Sequence, residues 1–207
     1  MDRAAVEAAR ECLRRAKEDL AAMENADSFE KLEEGWSDFL TMANRLYVKL
    51  EQGAKVSGPS RGWFGQKKHE RRADPLLKYI KNARDVDEHG LQRITNRQGA
   101  GIGVKFPTAT NDGSISVKSG YLSSGPSGAE ISFELDDPNT PVIVEYSGPT
   151  VKLVEVVNYG DHYQPPTEHF GQPIPSLHPM AHPHPVAVAR LTVSHLDKLI
   201  TEAAALP

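Results

Sequence analysis

The spacing of the apolar residues changes near residue 98, and this change constrains the fold more than any other feature of the sequence. Before residue 98 the apolar residues recur at steps of three and four, a spacing that places them on one side of an α-helix. The first such stripe consists of Val6, Ala9, Leu13, Ala16, Leu20 and Met23. After residue 98 short β-branched runs partly alternate with polar residues, which indicates strands. We therefore expect a helical first half and a β-rich part after it.

Three helices are predicted in the first half. The second stripe consists of Leu32, Trp36, Leu40, Ala43, Tyr47 and Leu50. Asp27 with Glu30 resembles a capping box at the start of this helix. Residues 53–65, GAKVSGPSRGWFG, are predicted to form a loop because they are rich in Gly, Pro and Ser. Asp74 and Pro75 are typical of a helix start, so a third helix should run to about residue 97 unless Gly90 ends it.

The second half of the chain predicts strands followed by a final helix. Four strands of an antiparallel meander are expected at residues 113–121, 129–135, 141–146 and 150–157. Residues 159–185 are rich in Pro and His and predict irregular structure. From residue 186 one helical stripe is favoured over a strand at 186–192 followed by a shorter helix; it consists of Ala189, Val193, Leu196, Ile200 and Ala203.

These patterns predict an α+β fold in three parts. Residues 1–98 form an N-terminal antiparallel helical bundle, residues 99–185 hold a small antiparallel β-meander and the Pro/His-rich loop, and residues 186–207 form a C-terminal helix that could pack back on the bundle. The one cysteine, Cys12, excludes an internal disulfide and predicts a reducing, cytoplasmic location. No apolar run reaches the roughly 18 residues of a membrane helix, so no membrane contact is expected.

Charge is unevenly distributed along the chain. Residues 1–98 carry 19 Lys and Arg against 17 Asp and Glu, whereas residues 99–207 carry 5 against 11. This balance excludes a protein that coats nucleic acid through bulk positive charge. It leaves room for a local basic site in the first half.

Residues 82–90, NARDVDEHG, are the stretch whose side chains are best suited to catalysis. The charges of this stretch interrupt the apolar stripe that a helix to residue 97 would have, and burying charge is costly unless the charge is paired or used. One interpretation is an exposed helix with ion pairs four residues apart, Arg84 with Glu88 and Asp85 with His89. The other is a phosphodiester-cleaving site, because histidine transfers protons near neutral pH and arginine binds phosphate.

The same stretch resembles the signature of the HEPN (higher eukaryotes and prokaryotes nucleotide-binding) superfamily. That signature is an arginine, a polar residue, a few further residues and a histidine often followed by glycine, and Arg84, Asp85, His89 and Gly90 fill these places. The resemblance covers about residues 1–98. It implies an up-and-down helical bundle, often a homodimer in which two motifs meet. Family members have four or five helices, so the C-terminal helix could supply one that the first half lacks.

The resemblance also implies functional roles. Many members are metal-independent ribonucleases in toxin–antitoxin or phage-defence systems, and others are not catalytic. His89 would then be the acid and base, Arg84 would stabilise the phosphate charge, and Asp85 would orient the two. The expected function is a metal-independent endoribonuclease without cofactor, with RNA and an antitoxin or other protein as partners. The alternative is a non-catalytic dimeric module in which Arg84, Asp85 and Glu88 form a polar seam.

Basic residues near an aromatic suggest where RNA would bind. Aromatic rings stack on bases and cations pair with phosphates, and the candidate residues are Trp63, Lys67, Lys68, Arg71 and Arg72. The alternative is a solvated loop whose aromatic side chains pack onto the bundle.

Four further patterns are not expected to carry function. The histidines after residue 160 alternate with proline and lack other ligands, so no metal is expected. GAGIG at 99–103 predicts the end of a helix rather than a phosphate loop, because no strand precedes it. Cys12 is expected to be a structural thiol. Arg190 and His195 repeat the spacing of the motif without its polar residue or its glycine.

Overall fold

The computed structural model describes residues 1–90, 92–98, 150–174 and 184–207 with their side chains, and the backbone of four strands between residues 101 and 147. Within this part of the chain the α-helices are α1 (Arg3–Glu24), α2 (Phe29–Gly53), α3 (Gly58–Ala73), α4 (Pro75–His89) and α5 (Pro185–Ala205), with a short 3₁₀ helix at Ala54–Val56. Small antiparallel strand pairs accompany them. The predicted α+β class, with N-terminal helices and a C-terminal helix, is confirmed.

The helices begin at side chains that accept a hydrogen bond from the first helical turn. The side chains of Asp2, Ser28, Ser57 and Asp74 accept from backbone N–H groups that have no partner within the helix. The Asp74–Pro75 prediction is confirmed, since Asp74 accepts from Leu77 N at 2.9 Å. The prediction for α2 was off by one residue, because Ser28 rather than Asp27 caps the helix.

The prediction of a loop at residues 53–65 was wrong, because α3 begins at Gly58. Gly58 and Pro59 occupy the first turn, where a missing side chain or N–H does little harm, and Ser57 caps the helix by accepting from Ser60 N at 3.2 Å. Phe64 is buried and holds this helix on the core. The Gly, Pro and Ser content that indicated a loop is partly the composition of a helix start.

Helix α2 lies at the centre of the core. Its Trp36 and Phe39 rings stack with centroids 5.8 Å apart, and both side chains are fully buried. Helix α1 packs along α2, and α5 packs against α1, α2 and α4. The largest side chains with less than 2 % exposure are Trp36, Tyr79, Phe39, Met23, Leu40, Leu46, Leu50, Leu76, Leu77, Leu153, Leu196 and Leu199. The core therefore includes the returning segment at Leu153 and the C-terminal helix.

Contacts divide the chain into two compact units. The first contains residues 1–98 and 150–207, and the second contains residues 99–149. Residues 150–174, which the composition groups with the β-rich segment, thus belong to the unit that holds the helices. Helix α5 is continuous from Pro185 to Ala205, so a strand at 186–192 is excluded. No helix in the described ranges is long and apolar enough to cross a membrane.

The strand pairs of residues 95–153 are nested in chain order. In the helical unit β1 (Thr95–Gln98) pairs with β6 (Thr150–Leu153). In the second unit β2 (Gly101–Lys105) pairs with β5 (Ile143–Ser147), and β3 (Val117–Gly125) pairs with β4 (Gly128–Leu135). All three pairs are antiparallel. The β3–β4 pair confirms the first hairpin of the predicted antiparallel meander. The rest of the predicted pairing order was wrong, because β5 pairs with β2 and β6 pairs with β1.

Two small hairpins follow in the helical unit; their first strand overlaps the strand predicted at 150–157, and the other three lie in the region 159–185 that was predicted to be irregular. They are β7 (Val156–Asn158) with β8 (Asp161–Tyr163), and β9 (Glu168–His169) with β10 (Gln172–Pro173). Each has a two-residue turn made of an aromatic residue and a glycine, both with positive φ: Tyr159 (52°), Gly160 (86°), Phe170 (48°) and Gly171 (72°). Two positive φ values are typical of the tight turns that suit the twist of a hairpin.

Glycine substitutions test whether residues 58–73 are helical. A Cβ at Gly65 would meet no atom within 4 Å, so Gly65→Ala should raise the free energy of unfolding by about 0.5–1 kcal/mol if the residue is inside a helix. As the contrasting variant, Gly53→Ala places a Cβ 2.4 Å from the Ala5 Cβ and should lower it by about 1–3 kcal/mol. Urea denaturation measures both; a destabilising Gly65→Ala would argue against α3.

Candidate functional site

The motif residues lie in the last two turns of α4, which is shorter than predicted. Helix α4 ends at His89, and Gly90 N donates to the Val86 carbonyl at 2.7 Å. A Cβ at Gly90 would lie 2.6 Å from that same carbonyl oxygen, so the chain can leave the helix here because residue 90 is glycine. The buried face of α4 runs on through Ala83 and Val86. The prediction that Arg84, Asp87 and Glu88 interrupt the apolar stripe was therefore wrong, because none of the three is buried in this face.

Arg84 is held by carboxylates of its own helix. Its guanidinium donates to Asp85 Oδ1 at 3.2 Å and forms an ion pair with Glu88. The side chain is 20 % exposed, and its Nε lies buried with no hydrogen-bond partner among the described residues. Asp85 also pairs with Lys81 at 3.0 Å. The charge that would stabilise a phosphate is thus already neutralised by its neighbours.

His89 lies at the exposed edge of this network. Its side chain is 73 % exposed, and the charged group nearest to it is Glu88, with His89 Nε2 and Glu88 Oε2 3.9 Å apart. Arg84 and His89 share no hydrogen bond in the described part of the chain. The predicted Asp85–His89 pair does not form either, whereas the predicted Arg84–Glu88 pair does. In a single chain the motif therefore matches the interpretation as a helix with ion pairs.

His89 and Asp85 nevertheless line one open cavity of about 350 Å³. The β7–β8 turn forms its other wall through Val157, Asn158 and Tyr159. The Tyr159 side chain is 99 % exposed at the tip of the turn, with the backbone in the left-handed region that disfavours a side chain. A strained, fully exposed aromatic residue beside an open cavity is a feature that sequence reasoning missed.

Hydrogen bonds fasten this turn to α4. Asn158 Nδ2 donates to Asn82 Oδ1 at 2.9 Å, and Asn82 donates to the Lys78 carbonyl at 2.8 Å. Gln92 donates to the Glu155 carbonyl at 2.7 Å and accepts from Val157 N at 3.0 Å. The position of Tyr159 beside the end of α4 is therefore fixed by amide side chains on both sides of the cavity.

The basic residues predicted to bind RNA mostly make contacts within the protein. Lys67 pairs with Glu70 at 3.1 Å and with Glu202 at 2.9 Å, and its side chain is only 13 % exposed. Lys68 pairs with Glu51 at 2.8 Å, and Trp63 donates to Glu202 at 3.1 Å. These contacts neutralise the cations and turn Trp63 toward α5. They match the alternative in which the aromatic side chains pack onto the bundle.

Arg71 and Arg72 differ in their surroundings. Arg71 stacks over the Tyr47 ring at 4.1 Å and donates to Asn44 at 3.0 Å. Burial lowers the pKa of Arg71 from its usual range. Arg72 is exposed. The five candidate residues therefore do not form a continuous basic path: Lys68 and Arg72 are the exposed cations among them, and Lys68 is paired with Glu51.

The remaining sequence patterns have structural explanations where the structure describes them. Gly101 begins strand β2, so helix termination at 99–103 was wrong; α4 already ends at His89. Cys12 is buried, which raises the pKa of its thiol. No group of three metal-ligating side chains occurs among the described residues. His178 and His182 lie outside the described residues. Arg190 pairs with Glu24 at 2.7 Å, apart from His195.

A second polar cluster surrounds Asp74, and no sequence pattern predicted that its residues would lie together. The Asp74 side chain is 1 % exposed. Besides capping α4, it accepts from His169 Nδ1 at 3.0 Å and from Phe170 N at 2.6 Å. A buried carboxylate needs such donors to remain charged. This one carboxylate therefore joins the start of α4 to the β9–β10 hairpin.

His195 of α5 lies next to this cluster. Its Nε2 is 3.0 Å from the Tyr47 hydroxyl, and its ring meets the His169 ring edge-on with centroids 5.7 Å apart. Burial lowers the pKa of His195 to about 4, with the neighbouring His169 as the next cause. Burial also raises the pKa of Tyr47 above its usual value. The pair is thus neutral near pH 7, with a hydroxyl–imidazole hydrogen bond inside the core.

No local pattern could have revealed this cluster, because its members come from four elements. The only sequence signal was Asp74 as a helix cap, and that signal indicates a helix start, not a site. Comparisons of the chain with protein-family models, with curated proteins and with solved structures gave no match.

Measurements of unfolding free energy test whether Arg84 stabilises the fold while His89 does not. Arg84→Ala should lower the free energy of unfolding by about 1 kcal/mol, because Asp85 and Glu88 lose their shared cation and the packed stem is removed. His89→Ala should change it by less than about 0.5 kcal/mol, since an exposed side chain is lost. Equal effects in thermal and urea denaturation would contradict this division.

The low pKa of His195 predicts a specific loss of stability in acid. The unfolded chain takes up a proton near the ordinary value of 6.5, and the folded protein does so only near pH 4. The contribution of His195 is therefore complete above pH ~6.5 and is lost as pH falls to ~4, by about 3 kcal/mol at the limit. His195→Gln keeps an acceptor for Tyr47 but does not titrate. As the pH falls from ~6.5 to ~4, the free energy of unfolding should decrease more for the wild-type protein than for the variant. A difference between the two proteins that does not change with pH would contradict the low pKa of His195.

Proposed function

We propose that this chain is a HEPN-like helical-bundle protein that acts as a non-catalytic interaction module. Two copies associate through the end of α4 and the β7–β8 turn. The observation that carries this proposal is the neutralised Arg84, paired with Asp85 and Glu88, while His89 is 73 % exposed and makes no hydrogen bond to Arg84 or Asp85 among the described residues. The single cysteine suits a reducing compartment, and we place the protein in the cytoplasm on that ground.

The charge around the motif does not favour a bound phosphate. Cleavage of RNA without metal needs positive charge on the phosphate beside the acid and base. Here Asp85, Asp87 and Glu88 lie within the same two turns as Arg84. Asp87 accepts from the Ser37 hydroxyl, so this carboxylate is also part of the folded structure. These three carboxylates face two cations, Lys81 and Arg84, and both cations are already paired with them, so no net positive charge is left to attract a phosphate anion.

The same region suits a protein partner. Exposed aromatic side chains are the ones that interfaces bury at their centres, and Tyr159 is 99 % exposed. Holding a side chain at φ 52° costs free energy, and such strain is concentrated at functional positions. Since a two-fold dimer uses the same patch on both copies, Tyr159 of each copy would occupy the cavity of the other, beside Asp85 and His89.

A nuclease remains the second candidate, favoured by the accessible imidazole. His89 lines an open cavity together with Asp85, as an acid and base must. For this function the Arg84 guanidinium would have to exchange its carboxylates for the substrate phosphate. A second copy that engages Asp85 or Glu88 would release it. The two candidates therefore share the dimer and differ in what the dimer does to Arg84.

The proposal predicts a reversible dimer that depends on Tyr159. Tyr159→Gly removes the ring and relieves the positive φ, so the monomer should keep its stability while self-association is lost. Phe170→Gly is the matched control, because it makes the same change in the β9–β10 turn and should leave the dimer intact. Sedimentation velocity over a concentration series measures both. A wild-type protein that stays monomeric, or a Tyr159→Gly protein that still dimerises, contradicts the proposal.

Incubation with RNA in EDTA distinguishes the module from the nuclease. We expect no cleavage by the wild-type protein and none by His89→Ala. Cleavage by the wild-type protein that disappears in His89→Ala would replace the module with the second candidate. Cleavage that persists in His89→Ala would show a contaminating nuclease, and the assay would then be repeated on protein purified until that background is gone.

A further inference from the structure

A second cavity, of about 320 Å³, lies between the β9–β10 hairpin and helix α5. Helix α5 contributes Leu191, Ser194, His195 and Lys198, which follow one another at steps of three, one and three and so share a face of the helix. The hairpin contributes His169, Phe170, Gln172 and Pro173. This cavity is at the N-terminal end of α4, whereas the motif is at its C-terminal end, about 20 Å away for a helix of this length.

The polar groups of this cavity favour an anion. Lys198 supplies an ammonium group, Ser194 a hydroxyl, and His169 and His195 supply imidazoles, while no carboxylate of the described residues lines the cavity. None of the described carboxylates forms an ion pair with Lys198. Asp74 lies beneath His169 with 1 % exposure and is occupied by its three donors. A negative ligand group would therefore meet the Lys198 ammonium and the Ser194 hydroxyl, with none of the described carboxylates in the lining.

The rest of the lining is apolar. Phe170 is 51 % exposed, and Leu191 and Pro173 complete the apolar wall. The Phe170 ring lies 4.5 Å from the His169 ring and 5.5 Å from the His195 ring between centroids. A ligand with an apolar group could cover this wall while its charged end reaches Lys198. Small-molecule sites commonly combine an apolar lining with a few polar groups in this way.

The lining is held in place by groups that do not reach the cavity. Asp74 fixes the His169 ring through Nδ1, which leaves Nε2 without a partner among the described residues. Tyr47 fixes the His195 ring through Nε2, which leaves the His195 Nδ1 without a partner among the described residues. Phe170 keeps φ 48° because its N–H donates to Asp74. Buried groups that orient the side chains lining a cavity, together with a strained backbone, are typical of a prepared binding site.

From these observations we infer that the cavity between the β9–β10 hairpin and α5 binds a small organic anion with an aromatic or similar apolar group. Lys198 and the Ser194 hydroxyl bind the charged end, and Phe170 and Leu191 cover the apolar end. This inference is independent of the proposed dimer, since it uses none of the residues around Tyr159.

Titration of the wild-type protein with phenyl phosphate, benzoate and neutral benzyl alcohol tests the inference. Long-range ¹H–¹⁵N NMR follows the His169 and His195 imidazoles. We expect both anions to shift these signals in a saturable manner and benzyl alcohol to bind more weakly. Lys198→Gln should raise the Kd for phenyl phosphate about tenfold, since one charge-assisted contact is lost. Lys31→Gln removes the same charge from an exposed site on α2 and should leave the Kd unchanged.

Phe170→Gly keeps the inference testable if other variants fail to fold. It removes the apolar wall and relieves the positive φ, so it should fold and yet lose most of the affinity for both aromatic anions. Absence of saturable shifts with either anion would overturn the inference. So would equal affinity for benzyl alcohol, or equal weakening by Lys198→Gln and Lys31→Gln.

Discussion

The start of α4 and the β9–β10 hairpin both depend on hydrogen bonds to the buried carboxylate of Asp74. It accepts from Leu77 N at the start of α4 and from His169 and Phe170 of the β9–β10 hairpin. Removing a charge of this kind leaves several donors without a partner, and burying it without them would be costly. One side chain therefore fixes where α4 begins and where the hairpin lies. The hydrogen bonds to Asp74 also fix the positions of the Phe170 and His169 rings of the hairpin.

The returning segment is held on the other side of α4 by neutral groups. Tyr79 donates to the Val154 carbonyl at 2.8 Å, and Asn82 accepts from Asn158. The two hairpins thus meet the same helix through different chemistry, a carboxylate at its N-terminal end and amides and a hydroxyl toward its C-terminal end. Each hairpin presents one strained aromatic residue, Tyr159 or Phe170, beside a cavity. This common design underlies both the proposed self-association and the proposed anion site.

Sequence patterns predicted the parts of the fold that depend on local periodicity. The stripes of α1, α2 and α5 and the Asp74 cap were readable because helix burial repeats every three to four residues. Helix α3 was missed because its first turn consists of residues that also form loops. Strand pairing was missed because nested and sequential pairing give the same alternation along each strand. Only contacts between distant residues, such as Thr95 opposite Leu153, distinguish the two.

The candidate sites were less predictable for the same reason. Spacing alone allowed both interpretations of Arg84 and His89, and the side-chain partners of Arg84 were needed to favour ion pairs. The cluster of Asp74, His169 and His195 had no signal in any one segment.

The most direct test of this cluster is the ¹⁵N NMR signature of His169 at neutral pH. We predict that the His169 Nδ1 carries a proton that it donates to Asp74, and that the ¹⁵N chemical shift of this Nδ1 changes in Asp74→Asn. A proton on Nε2 with a bare Nδ1 would contradict the role of Asp74 as the hub of this structure.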